Sequence, residues 1–100
     1  EIWICMGVGM KSVIPDDSAD RCYLCGSYQM IQEHHIFGGP DRNASERHGL
    51  KVHLCLFCHD RVHGKYGKEL MQQLHETGQR EFEKTHTREQ FRKEFRKSYL

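Results

Sequence analysis

Two Cys-x2-Cys pairs, Cys22/Cys25 and Cys55/Cys58, frame the 29 residues from Gly26 to Leu54 in a chain of 100 residues. Four thiolates in two matched pairs suit the tetrahedral coordination that zinc demands. Two disulfides, or a single redox-active pair, are the competing uses of the same residues. A staple of some kind is needed, because only 37% of the residues are apolar while 29% are charged, and mean hydropathy is −0.78. A core built from so little apolar material is marginal at this length. Zinc is the expected staple, since the opening stretch Ile2 to Val13 lacks the basic leading segment and small-residue cleavage site of an export signal. No run approaches the roughly 18 apolar residues of a membrane span. The expected location is therefore the cytoplasm, with no membrane partner. Cys5 is left over as an unpaired thiol.

The chain is organised around these pairs. Residues 1–21 read as an N-terminal arm, with Pro15-Asp16-Asp17-Ser18 as a turn, Ile2 to Ile4 as a short strand or a frayed end, and Met10 as a candidate original start. Residues 22–64 form the stapled core: a knuckle, a strand over Gln29 to Phe37, a polar loop from Gly38-Gly39-Pro40 to Gly49, a second strand over Leu50 to Leu54, and a helix from Cys55 to His63 ended by Gly64. Residues 65–100 hold further helices. One runs over Tyr66 to Thr77, with Tyr66, Leu70 and Leu74 on one face and Gly78 as its stop. The last opens on a capping box, Thr87 with Gln90, and carries Phe91, Phe95 and Tyr99 at four-residue spacing. The fold class is thus α+β.

Most of the eight histidines lie between His34 and His63, interleaved with the cysteines. On a helix His59 and His63 are i,i+4 neighbours, the separation at which two imidazoles share one metal. Cys58 is rotated from His59 by about 100°. One helix can therefore serve a structural zinc from one side and a second metal from another. His34 and His35 stand at the end of the first strand, where adjacent side chains point to opposite faces. Both reach one substrate only if the strand twists or ends there.

The cysteine pairs, His34-His35-Ile36-Phe37-Gly38-Gly39 and Leu54-Cys55-x2-Cys58-His59-x3-His63 together resemble the HNH endonuclease family, particularly its small zinc-knuckle members of phage and prophage origin. The resemblance spans about Cys22 to His63. It implies a treble-clef-like ββα-metal fold and a metal-dependent endonuclease that nicks or cleaves DNA in a bacterial host. It gives His34 a catalytic divalent metal, completed by His59 and His63, and makes His35 the general base. One departure stands out. The asparagine that braces the ββ loop in the family falls at Leu50 here, leaving Asn43 or a backbone group as substitutes.

The chemistry suits such a set. A phosphodiester repels hydroxide, so hydrolysis needs a cation on the phosphate and a base near neutral pH. An imidazole with an ordinary pKa of about 6.5 is such a base. Imidazole ligands leave the second metal open among Mg²⁺, Mn²⁺, Ni²⁺ and Zn²⁺. Net charge is only +1, but residues 80–100 carry seven Lys or Arg against four Glu. Expected phosphate contacts are Arg42, Arg47, Lys51, Arg61 and Lys65, with the basic residues of the last helix either joining them or forming a solvated face. The competing reading is a non-catalytic zinc module that binds nucleic acid or protein. A third is a subunit active only with packaging or restriction partners.

Overall fold

The computed structural model describes residues 11–100, so the readings made for Ile2 to Ile4, Cys5 and Met10 lie outside the described residues. Strand β1 (Ile31–His35) pairs antiparallel with β2 (Lys51–Cys55) in a register running from Ile31 opposite Cys55 to His35 opposite Lys51. Helices α1 (Arg42–Arg47), α2 (Leu56–His63), α3 (Lys68–Phe82) and α4 (Arg88–Phe95) complete a small α+β fold. No described helix is long and apolar enough to cross a membrane.

Because side chains alternate along a strand, the hairpin has two unlike faces. Gln32 and His34 share one face with Val52 and Leu54, and this face packs on α2 and the core. Glu33, His35, Lys51 and His53 share the other. Residues 12–17 cover part of that second face. Ser12 Oγ donates to the Lys51 carbonyl, the Val13 N–H donates to the Gly49 carbonyl at 2.9 Å, and Asp17 accepts from both the backbone and the ring of His53. The turn expected at Pro15 is present.

The stretch between Gly38 and Gly49, expected as an unbroken polar loop, instead holds a 3-10 turn at Gly39–Asp41 and then α1. A six-residue helix shows too little periodicity to register in sequence, and Pro40 reads as a breaker although proline is welcome in a first turn. Two corrections apply to α3. It starts at Lys68, leaving Tyr66 outside it and 88% exposed, and it runs through Gly78 to Phe82. Gly78 serves packing, since a Cβ there would lie 3.0 Å from both Ile36 Cγ2 and Phe37 Cε2. The glycine lets α3 approach the end of β1.

Phe37 anchors the remaining core. Its ring lies 4.6 Å from that of Phe95 and 5.4 Å from those of Phe91 and Tyr99, and it stacks on His75 at 5.1 Å. The expected capping box starts α4: the Gln90 N–H donates to Thr87 Oγ1 at 3.0 Å, and the Thr87 N–H to Gln90 Oε1 at 2.7 Å. Phe91 and Phe95 are buried, and Tyr99 packs half-buried beyond the helix end.

Candidate functional site

Cys22 and Cys25 lie in a loop before β1, Cys55 ends β2, and Cys58 is in the first turn of α2. Their four sulfurs lie within 4.8 Å of one another, and Cys25 Sγ is 3.7 Å from Cys55 Sγ. A tetrahedral zinc with Zn–S near 2.3 Å separates its sulfurs by about 3.8 Å, so the set is of zinc-binding dimensions. Backbone N–H groups turn toward the sulfurs as well. Those of Cys25 and Cys58 donate to Cys22 Sγ and Cys55 Sγ at 3.4 Å. Burial raises the Cys22 thiol, but donors from the backbone of Cys55, Cys25 and Leu24 outweigh it and bring it down to about 6. Burial and the neighbouring thiols push Cys58 up. Four thiols so close do not all ionise without a cation among them, which is the electrostatic pull toward metal.

The second cluster joins β1 to α2. His34, His59 and His63 bring one ring nitrogen each within 4.8 Å of the others, with ring centroids 5.2, 5.2 and 5.0 Å apart. His34 is 3% exposed, and its Nε2 is buried with no hydrogen-bond partner. Burial, reinforced by any charge on His59 and His63, lowers its pKa to about 4, so the ring is a neutral donor of a lone pair at pH 7. Burial and then His63 lower His59 too. The amide oxygen of Gln32, two residues before His34 on the same face, lies 2.6 Å from His59 Nδ1. A carbonyl oxygen only accepts, so Nδ1 carries the proton and the lone pair is on Nε2.

His35 belongs to a different constellation on the opposite face. Its Nε2 is 2.6 Å from Glu46 Oε1 of α1, and Arg42 Nε lies 3.4 Å from its Nδ1. The Lys51 ammonium donates to Glu46 Oε2 at 3.0 Å and pairs with Glu33 Oε2 at 3.2 Å. Hydrogen bonds from His35 and Lys51 outweigh burial and hold the Glu46 carboxyl below its ordinary range. The chain leaves β1 at His35, so the residue stands where the strand ends.

The brace of the hairpin loop falls to a residue that sequence reasoning missed. Fully buried Ser45 accepts from the Phe37 N–H at 3.2 Å and donates to the Leu50 carbonyl at 2.5 Å, tying both ends of the connection; Asn43 is exposed. Gln32, Glu46 and Asp17 were missed as well. Only the two-residue spacing of Gln32 from His34, which places both on one face, offered a signal.

Of the expected phosphate contacts, Arg42, Arg61 and Lys65 are exposed, while Arg47 is paired with Glu94 at 2.6 Å. Lys51 is a correction. It is only 4% exposed and held by two carboxylates, because its place opposite His35 turns it onto the carboxylate-bearing face rather than outward. Arg88 of α4 is engaged by Glu83, and Arg96, just past the end of that helix, by Asp41. Compared with protein-family models, curated proteins and solved structures, the chain matches none of them.

Proposed function

We propose that this chain is a metal-dependent endonuclease of the ββα-metal type, hydrolysing phosphodiester bonds in DNA, with a structural zinc on Cys22, Cys25, Cys55 and Cys58. One observation carries the reading: His34, whose buried Nε2 has no hydrogen-bond partner, brings a ring nitrogen within 4.8 Å of those of two further imidazoles presented one turn apart on α2. A buried polar nitrogen without a partner is costly, and a metal ligand is the use that such a neutral donor set fits. When bound to His34, His59 and His63, a divalent cation supplies the positive charge that a phosphodiester and its departing 3′ oxygen require. Gln32 holds His59 in the tautomer that leaves Nε2 free. His35, at the strand end, takes the proton of the attacking water. Arg42, Arg61 and Lys65 are exposed for phosphate, a contact that positions DNA without reading its sequence.

A zinc module without catalysis is the second reading, favoured by the placement of His35 on the opposite face from the imidazole cluster. The two separate in a plasmid-nicking assay with zinc-loaded protein and added Mg²⁺, Mn²⁺, Ni²⁺ or Zn²⁺. Wild type is expected to nick. His35→Ala is expected to retain fold, zinc content and DNA binding while losing activity by roughly 10²–10⁴-fold, the usual share of a general base. A folded, metal-loaded wild type inert on supercoiled, nicked and single-stranded DNA establishes the interaction module instead.

A further inference from the structure

Glu33, His35 and Glu46 also place one ligand atom each within 4.8 Å of the others, which invites a third metal. The chain has filled that position itself. Lys51 Nζ lies 3.0 Å from Glu46 Oε2, 3.2 Å from Glu46 Oε1 and 3.2 Å from Glu33 Oε2. Its side chain is 5% exposed, so the ammonium is a built-in cation with no route to leave without exposing two carboxylates to each other. What it pins is Glu46, and what Glu46 touches is His35.

The hydrogen bonding around His35 is one-sided. A carboxylate is an acceptor only, so the 2.6 Å contact to Glu46 requires the proton on Nε2. A guanidinium is a donor only, so the approach of Arg42 Nε at 3.4 Å requires a lone pair on Nδ1. The two contacts come from different residues of α1 and demand the same tautomer. We propose that Glu46, pinned by Lys51, is the positioning residue of His35: it fixes the Nε2–H tautomer and ring orientation and leaves the Nδ1 lone pair as the proton-accepting atom. Nδ1 is the ring nitrogen that accepts, and the donor it meets, Arg42 Nε, belongs to an exposed side chain that can give way to another donor. The positioning arrives from α1, the short helix inside the connection whose Ser45 also ties the two strand ends.

The hold on His35 stands by itself, whereas its effect on rate rests on the endonuclease reading. The experiment therefore has two readouts. Two-bond ¹H–¹⁵N spectra of zinc-loaded protein at about pH 8.5, where imidazoles are neutral, are expected to show His35 as the Nε2–H tautomer in wild type and as a mixture in Glu46→Ala. Glu46→Gln, whose amide oxygen accepts the same proton, is expected to restore the Nε2–H form. In nicking assays Glu46→Ala is expected to lower kcat by about 10²-fold with KM little changed, and Glu46→Gln to recover much of the loss. Should Glu46→Ala lose its fold because Lys51 is left with Glu33 alone, Glu46→Leu combined with Lys51→Met removes the carboxylate together with the buried ammonium and is measured in its place. An unaltered His35 tautomer in the carboxylate-free variants overturns the proposal even if wild type cuts DNA. A tautomer that shifts as expected in a protein that never cuts upholds the positioning role and overturns the endonuclease.

Discussion

His34 shows how one buried imidazole of the candidate site bears on stability. Burial, with the neighbouring His59 and His63, holds its folded pKa at about 4, below the ordinary 6.5. As pH falls, the unfolded chain takes up this proton first. The stabilisation from a neutral His34 is therefore complete above about pH 6.5 and is lost as pH falls toward 4. Without a second metal, about 1–2 kcal/mol is expected to vanish between pH 7 and pH 5, a slope read from urea midpoints. His34→Leu is expected to flatten that slope, and a slope as steep as in wild type counts against the assignment. Ser45 is the other residue with leverage beyond its size. Ser45→Ala leaves the buried Phe37 N–H without its acceptor and is expected to cost about 1–3 kcal/mol in the same measurement. An unchanged midpoint shows that water replaces the hydroxyl there.

At the scale of elements, the hairpin, α2 and α4 were legible because each advertises itself locally: alternation in Val52 and Leu54, His59 and His63 beyond the knuckle, and the Thr87–Gln90 box. The imidazole cluster was legible for the same reason, since the i,i+4 pair lies on one element and only His34 had to be brought to it. What escaped depends on tertiary contact. Helix α1 is too short to show a period, and its Ser45 and Glu46 matter only because the hairpin folds back beside them. Gly78 misled because a helix stop and a close-approach glycine look alike in one dimension. Its environment makes the distinction measurable. Gly78→Ala would gain up to about 1 kcal/mol in a free helix, yet its Cβ meets Ile36 and Phe37 at 3.0 Å in a core where both are buried. A net loss of about 1 kcal/mol is expected, and roughly 1–3 kcal/mol for the bulkier Gly78→Val. Thermal melts that rise instead would return Gly78 to an ordinary surface role.

For the whole molecule, the sulfur cluster joins the loop at Cys22, the end of β2 and the start of α2. Structural zinc in small domains is commonly worth ~10 kcal/mol or more. Chelation is accordingly expected to release one zinc per chain and to abolish the helical circular dichroism signal cooperatively, with Cys55→Ser unable to fold at all. A zinc-free protein with an intact spectrum rules out this role. The two-faced hairpin has a consequence for how such a chain can change. His34 and His35 are separated by one peptide bond yet serve opposite sides of the sheet, each completed by residues from a different helix. Deleting or inserting one residue within either strand would exchange the two sides wholesale, so the hairpin behaves as a reading frame in space. Variation by substitution remains open to it, whereas variation in length is confined to the connections outside the paired residues.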